Sequence, residues 1–183
     1  HGLIFWAAIW VLGGCAGSPK KALNNQRWGY VNQRGKFVIR PQFEEAKSFS
    51  EKLAPVKIDG QWGFVSVDAD IYIEPQFADA RPFEDGLAAA KVNALWGYIN
   101  KKGKFVIAPR FQEADDFSEG KACVRDGREW GFIDKDGEYL FDERFIAAKK
   151  FSDGLAPVRI DGQWGYINKK GKIKIIEIEE RMI

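Results

Sequence analysis

The chain has 183 residues, and its 28 Lys and Arg against 26 Asp and Glu give a formal charge of only +2. This balance argues against nucleic acid as a partner, because phosphate binding needs a surplus of basic charge on one face. Two cysteines argue against a disulfide framework, and a single histidine, at residue 1, argues against His-based catalytic triads and metal sites.

The first segment is an apolar run of 11 residues, from Gly2 to Leu12. It is shorter than the roughly 20 residues that cross a bilayer, but it has the length of a signal-peptide core. The sequence LGGC that ends at Cys15 resembles the lipobox of bacterial lipoproteins. The resemblance implies a lipoprotein signal peptide over residues 1–14, without its first residues, and a lipid on Cys15. A plain signal core with an incidental cysteine, or a buried strand, is the alternative interpretation.

A polar segment rich in small residues follows over residues 15–27, and it predicts a flexible tether between the lipid and a folded domain. Two or three acyl chains anchor a protein stably, since each buried CH2 contributes roughly 0.8 kcal/mol. The resemblance therefore implies a domain held at a membrane of the bacterial cell envelope, facing the periplasm or the cell surface.

A Trp-Gly pair recurs every 34 residues through the rest of the chain, five times and without an insertion. Columns of Phe, Ala, Gly and acidic residues keep the same period, so chance does not explain the pattern. The ten residues of the Trp-Gly column are Trp28, Gly29, Trp62, Gly63, Trp96, Gly97, Trp130, Gly131, Trp164 and Gly165.

Each unit predicts three short antiparallel strands bounded by turn residues. In the third copy these strands are residues 87–92, 95–100 and 104–108. One such meander is not stable alone, but stacked copies share a core, which is how repeat proteins are stabilised. Shifting residues 53–61, the first strand and turn of the second copy, back by one period gives residues 19–27, a poor strand sequence. The N-terminal unit is therefore expected to begin at its second strand.

Proline and glycine are expected to shape each unit. Pro41, Pro75 and Pro109 are expected to end the third strand, since proline cannot donate to a strand ladder. Glu143 takes that place in the fourth copy, which is therefore expected to end differently. Gly97 has no side chain and is expected to leave room for a neighbouring aromatic ring.

The combination of WG(Y/F)(I/V)(N/D)xxGK, P(Q/R)F and GLAxV resembles the WG, or KWG, repeat family over about Trp28 to Ile175. The resemblance implies an all-β tandem array of five 34-residue repeats across residues 28–178, with a short tail at 179–183. An extended or curved array is the expected shape. A closed, propeller-like ring is the alternative.

Two columns are candidate sites. The Trp column could stack sugars, but a Trp in every unit is expected to be a core residue, since each buries roughly 150–250 Å². The acidic column could supply hydrolase carboxylates, but equivalent copies lack the asymmetric pair that glycosidases use, and its position predicts a turn. The acidic column consists of Glu51, Asp85, Glu119 and Asp153.

Three smaller features have simpler interpretations. The stretch Asp134–Glu138 is similar to part of a calcium loop but lacks the further ligands. Cys123 is expected to be a small buried apolar side chain. The Lys-rich turns at Lys101 and Lys169 are expected to be solvated.

We therefore expect no catalytic, cofactor-binding or metal-binding residues. The expected function is a non-enzymatic binding or scaffolding module of a lipid-anchored envelope protein, whose partner is a protein or an envelope polymer and not nucleic acid. A carbohydrate- or cell-wall-binding module and a carboxylate-based hydrolase remain the alternatives.

Overall fold

The computed structural model describes residues 18–21 and 27–175. These residues form strands and turns and contain no helix, so the all-β prediction is confirmed. It follows that this part of the chain has no helix with the length and apolarity needed to cross a membrane. The predicted signal peptide, Cys15 and the tail at 179–183 lie outside the described residues.

The strands form five separate antiparallel sheets, one for each Trp-Gly pair. Sheet 1 contains β1 (Ser18–Lys21), β2 (Trp28–Val31) and β3 (Phe37–Phe43). Sheet 2 contains β4 (Glu45–Ala46), β5 (Leu53–Ile58), β6 (Gln61–Ser66) and β7 (Ile71–Phe77). Sheet 3 contains β8 (Asp79–Ala80), β9 (Ala88–Val92), β10 (Leu95–Ile99) and β11 (Phe105–Phe111). Sheet 4 contains β12 (Glu113–Ala114), β13 (Ala122–Asp126) and β14 (Glu129–Ile133). Sheet 5 contains β15 (Ala147–Ala148), β16 (Leu155–Ile160), β17 (Gln163–Asn168) and β18 (Ile173–Ile175).

Sheets 2, 3 and 5 contain the predicted three strands and a fourth, and sheet 4 has the added strand but lacks the third. The added strand has two residues, lies in the linker before the unit, and pairs with the unit's first long strand. The Trp-Gly pair lies on the strand after the first long strand, here called the middle strand. In sheets 2, 3 and 5 this strand lies between two neighbours that the chain reaches through tight turns. The linkers are therefore part of the sheets and not only connections between them.

The first unit differs from the expectation, because it has a first strand. In β1, Lys20 lies opposite Gly29, whereas Val56 lies opposite the equivalent Gly63. The strand is thus displaced by two residues from the 34-residue period, so a search by period does not find it. The prediction that this unit begins at its second strand is wrong, and residues 18–21 of the predicted tether belong to sheet 1.

The third strands continue through proline, so the expectation that proline ends them is also wrong. Trp62 pairs with Phe77 and Phe64 pairs with Ile73, so the partner strand carries extra residues around Pro75 opposite the glycine between them. A bulge of this kind is one of the few strand positions that tolerate proline.

In sheets 1, 2 and 3 the glycine of the Trp-Gly pair makes room for that bulge. A Cβ on Gly97 would lie 2.5 Å from the carbonyl oxygen of Ile107 and 2.7 Å from the nitrogen of Pro109. The expectation that a neighbouring ring uses this space is wrong in sheet 3 and correct in sheet 4, where a Cβ on Gly131 would lie 2.8 Å from the ring of Tyr139. Sheet 4 has isolated bridges in place of a third strand, so the fourth copy ends differently, as predicted.

The hydrophobic core lies between consecutive sheets. Trp62 and Phe64 of sheet 2 pack against Ala90 and Ile99 of sheet 3 in one buried cluster. Three similar clusters join sheet 1 to sheet 2, sheet 3 to sheet 4, and sheet 4 to sheet 5. Each inner sheet is thus covered on both faces, and each unit is stabilised by its neighbours along the chain.

Candidate functional site

The Trp column contains both buried and exposed members. Trp62 and Trp96 are only 4% and 7% exposed, and Trp28 and Trp130 are half-buried. Trp164 is 41% exposed. The interpretation of this column as core is therefore confirmed for Trp62 and Trp96 and fails for Trp164.

Sheets 1 to 4 are each covered by the linker that leaves them. Each linker places a phenylalanine against the aromatic ring on the middle strand of the sheet that it has just left. The ring pairs are Tyr30–Phe49 (4.6 Å between centroids), Phe64–Phe83 (4.9 Å), Tyr98–Phe117 (4.8 Å) and Phe132–Phe151 (5.0 Å). The middle-strand rings are almost fully buried as a result. Such aromatic pairs contribute about 0.5–1.5 kcal/mol beyond the burial of their area.

The linker backbone also satisfies the tyrosine hydroxyls. Tyr30 donates a hydrogen bond to the carbonyl oxygen of Lys47 at 2.9 Å, and Tyr98 donates one to that of Asp115 at 2.7 Å. Burial raises the pKa of both tyrosines. A buried hydroxyl without a partner would be costly, so the polar end of the ring also fixes the path of the linker.

A cation lies over the indole in sheets 2 and 3. The ammonium of Lys47 lies 4.3 Å from the ring centroid of Trp62, and it also bonds the carboxylate of Asp79 at 2.8 Å. The guanidinium of Arg81 lies 5.6 Å from the ring of Trp96. Arg81 also pairs, at 3.3 Å, with a carboxylate of the following linker. In both sheets, therefore, an acidic side chain of the next linker neutralises the stacked cation.

The outer face of sheet 5, here called the terminal face, has the same side chains in exposed positions. It consists of Lys149, Leu155, Pro157, Trp164 and Tyr166. Leu155 is 45% exposed and Tyr166 is 41% exposed. The ammonium of Lys149 lies 6.0 Å from the ring centroid of Trp164, and these two residues line an open hollow with Pro157 and Tyr166. Arg159 and Lys174, the exposed cross-strand neighbours of Trp164 and Tyr166, lie on the same face. This face presents two aromatic rings, an aliphatic side chain and several cations to solvent.

The acidic column joins consecutive turns. Glu51 accepts a hydrogen bond from the backbone N–H of Gly86 at 2.9 Å, and Asp85 accepts one from Gly120 at 2.7 Å. Glu119 does the same one unit later. All four acidic residues have a left-handed backbone, with φ between 49° and 54°. Their interpretation as turn residues is confirmed.

Lysines of the hairpin turns reach the same acidic turns. The ammonium of Lys101 lies 2.9 Å from Glu51, and that of Lys169 lies 2.7 Å from Glu119. Hydrogen bonds from Lys169 and from the N–H of Gly154 lower the pKa of Glu119. These turns are therefore not only solvated, although exposed ion pairs of this kind contribute little to stability.

The stretch similar to a calcium loop is a turn. The side chain of Asp134 accepts hydrogen bonds from the backbone N–H groups of Asp136 at 3.0 Å and Glu138 at 2.9 Å. Asn100 makes the same two kinds of bond in its own hairpin. Across residues 18–21 and 27–175, no three His, Cys, Asp or Glu side chains are grouped so that they could hold a metal ion.

Cys123 is buried, as expected. Its side chain is fully excluded from solvent in the cluster between sheets 4 and 5. Burial raises the pKa of its thiol, so the reactive thiolate is disfavoured. This cysteine therefore acts as a small apolar side chain.

Sequence reasoning missed two carboxylates in the linkers, Glu84 and Asp116. Burial is the main cause that raises the pKa of each. Glu84 accepts a hydrogen bond from Ser50 at 3.2 Å, and Oδ1 of Asp116 is buried without a hydrogen-bond partner among the described residues. Both residues depart from the repeat, because Ser50 stands one period before Glu84 and Lys150 stands one period after Asp116. Departures from the period were the signal that could have identified them.

Two solved structures show where similar folds occur. The structure of BamB from Moraxella catarrhalis is 12% identical, with a TM-score of 0.51, and the match covers 81% of this chain and 53% of that one. Hsv2 from Kluyveromyces lactis is 11% identical, with a TM-score of 0.48, over 69% of this chain and 46% of that one. The chain therefore spans about half the length of these proteins. The likeness to BamB concerns the fold alone, a propeller-like arrangement of sheets. A comparison with curated proteins gives no match.

A family model for the WG containing repeat matches the chain five times. The matched segments are residues 28–62, 62–96, 96–128, 130–164 and 164–179. They cover most of the chain, and each begins at the Trp of a Trp-Gly pair, so that each of the first four runs from the middle strand of one sheet into the first strands of the next. The chain therefore belongs to the WG containing repeat family.

Proposed function

We propose that this chain is a non-enzymatic protein-binding module, and that the terminal face is its contact surface. The observation that carries the proposal is the exposure of Leu155, Trp164 and Tyr166. The equivalent residues of the inner sheets, such as Trp96 and Tyr98, are covered by polypeptide. Exposed tryptophan and tyrosine side chains beside an aliphatic one are typical of sites where another protein binds.

Several observations support a binding role over catalysis. The residues of the acidic column form turn-to-turn hydrogen bonds, so they have the same structural task in each unit. The terminal face combines aromatic and aliphatic side chains with the cations of Lys149, Arg159 and Lys174, and aromatic residues and arginine are enriched where proteins bind one another. Broad exposed faces are the surfaces that repeat arrays use for binding.

A photo-crosslinking experiment tests this proposal. A benzophenone amino acid is placed at position 166, on the terminal face, or at position 72 as a control. Tyr72 is 56% exposed and lies on β7, away from sheet 5 in the chain. We expect light-dependent protein adducts from position 166 and not from position 72 in cells that express the chain. Identical adducts from both positions, or none from position 166, would contradict protein binding at this face.

We further propose that the module is anchored by a lipid on Cys15, at a membrane of a bacterial cell envelope. The support for this is the LGGC sequence after an apolar segment of signal-peptide length. A bacterial host that makes the chain is expected to incorporate labelled palmitate, and Cys15→Ser is expected to abolish the label. Cys123→Ser is the matched control, because that thiol is buried and should not be acylated. Equal labelling of wild type and Cys15→Ser would overturn the anchor.

A further inference from the structure

The linkers inside the array show what kind of segment covers a face of this type. Each of the first three linkers contains an acidic residue, then alanine, and a phenylalanine four residues after the acid. The segments are Glu45–Phe49, Asp79–Phe83 and Glu113–Phe117. In each case the phenylalanine packs on the middle-strand ring of the preceding sheet.

The acidic residue of such a segment has a defined role at sheet 2. Asp79 accepts a hydrogen bond from Lys47, whose ammonium lies over Trp62, and the same ammonium donates to the carbonyl oxygen of Ala80 at 2.7 Å. The linker thus supplies the ring of Phe83, which packs on Phe64, and two hydrogen-bond acceptors for the ammonium of Lys47. A charge-assisted hydrogen bond to a partly buried cation is stronger than one between neutral groups.

The terminal face contains the matching half of this arrangement. Lys149 lies 102 residues after Lys47, which is three periods, and its ammonium lies 6.0 Å from the ring centroid of its indole, against 4.3 Å for Lys47. Trp164 and Tyr166 correspond in the same way to Trp62 and Phe64. The terminal face therefore has a ring that a phenylalanine would cover, and a stacked cation that a carboxylate would neutralise.

We propose that the terminal face binds a segment of a partner protein that imitates the linker, with the pattern acidic residue, alanine, two variable residues and phenylalanine. The phenylalanine packs on Tyr166, and the acidic side chain pairs with Lys149 over Trp164. This inference rests on the proposed function, and it specifies the chemistry of the partner.

A peptide with the sequence of residues 76–86, QFADARPFEDG, is the probe. It carries fluorescein, and its binding to the full chain is followed by fluorescence anisotropy. We expect saturable binding, and at least tenfold weaker binding to the Lys149→Glu and Trp164→Ala variants. Replacing the acid or the phenylalanine of the peptide by alanine is expected to weaken binding to a similar extent. Tyr72→Ala, an exposed substitution outside the face, should bind like wild type.

Several results would overturn this inference. One is the absence of binding, and another is equal binding by all variants. A third is quenching of Trp164 fluorescence by glycans or muropeptides but not by the peptide, which would assign the face to carbohydrate. A fourth is self-association that Trp164→Ala abolishes, which would assign the face to a second copy. If position 166 still forms protein adducts while the peptide fails, protein binding stands and only the linker-like pattern is rejected.

Discussion

Replacing Trp96 by alanine is expected to lower the free energy of unfolding by about 3–5 kcal/mol, the usual cost of truncating a buried tryptophan. Trp96 is 7% exposed in the core between sheets 3 and 4, where it belongs to a cluster with Tyr98 and Phe111. The truncation leaves a cavity between two sheets that depend on each other for their burial. Urea denaturation followed by near-ultraviolet circular dichroism measures the loss.

Trp164→Ala is the matched control for this experiment. Trp164 occupies the same position of the repeat as Trp96 but is 41% exposed. Its removal is expected to cost roughly 1 kcal/mol or less, as for other substitutions near the surface. Equal destabilisation by the two substitutions would show that the intrinsic role of the indole in a unit, and not its burial by the next unit, determines its energetic contribution.

Gly97→Ala is the second substitution with a large expected effect. A Cβ at this position would lie 2.5 Å from the carbonyl oxygen of Ile107 and 2.7 Å from the nitrogen of Pro109. Both contacts are with backbone, so the bulge in β11 must move to relieve them. We expect a loss of about 1–3 kcal/mol or more, the range for overpacking a well-packed interior. Thermal and urea denaturation both measure it.

Gly131→Ala distinguishes a clash with the backbone of a bulge from a clash with a side chain. There the added methyl would meet the ring of Tyr139 at 2.8 Å and the side chain of Arg144 at 3.3 Å. Tyr139 is partly exposed and its ring can turn away, so a smaller loss is expected than for Gly97→Ala. A larger loss at Gly131 would contradict the view that the glycine serves the backbone bulge of the inner sheets.

The strands of each unit could be predicted because their information is local. In the third copy, the predicted segments at 87–92 and 95–100 match Ala88–Val92 and Leu95–Ile99 to within one residue. Apolar runs between turn residues were sufficient for this. The third strand was predicted too short because Pro109 normally ends a ladder, and the bulge that tolerates it depends on Gly97 of the neighbouring strand.

The terminal face could not be predicted from the repeat. Trp164 and Tyr166 are the same residue types, with the same spacing, as Trp96 and Tyr98. Among the described residues, Trp96 and Tyr98 are buried between sheets 3 and 4 whereas Trp164 and Tyr166 are exposed, so the difference lies in the neighbouring elements and not in the unit itself. Similarly, β1 lies outside the period by two residues, so no comparison between copies could reveal its pairing with β2.

The cores that lie between consecutive sheets have a consequence for the evolution of such chains. Each junction uses the same pieces, a ring on one middle strand and a phenylalanine from the following linker, as in Phe64–Phe83 and Phe132–Phe151. Duplication or loss of one whole 34-residue block would recreate a junction of the same kind, so array length can change without redesign. The same similarity between junctions can slow folding, because a linker can dock on the wrong sheet and must leave it before the native junctions form.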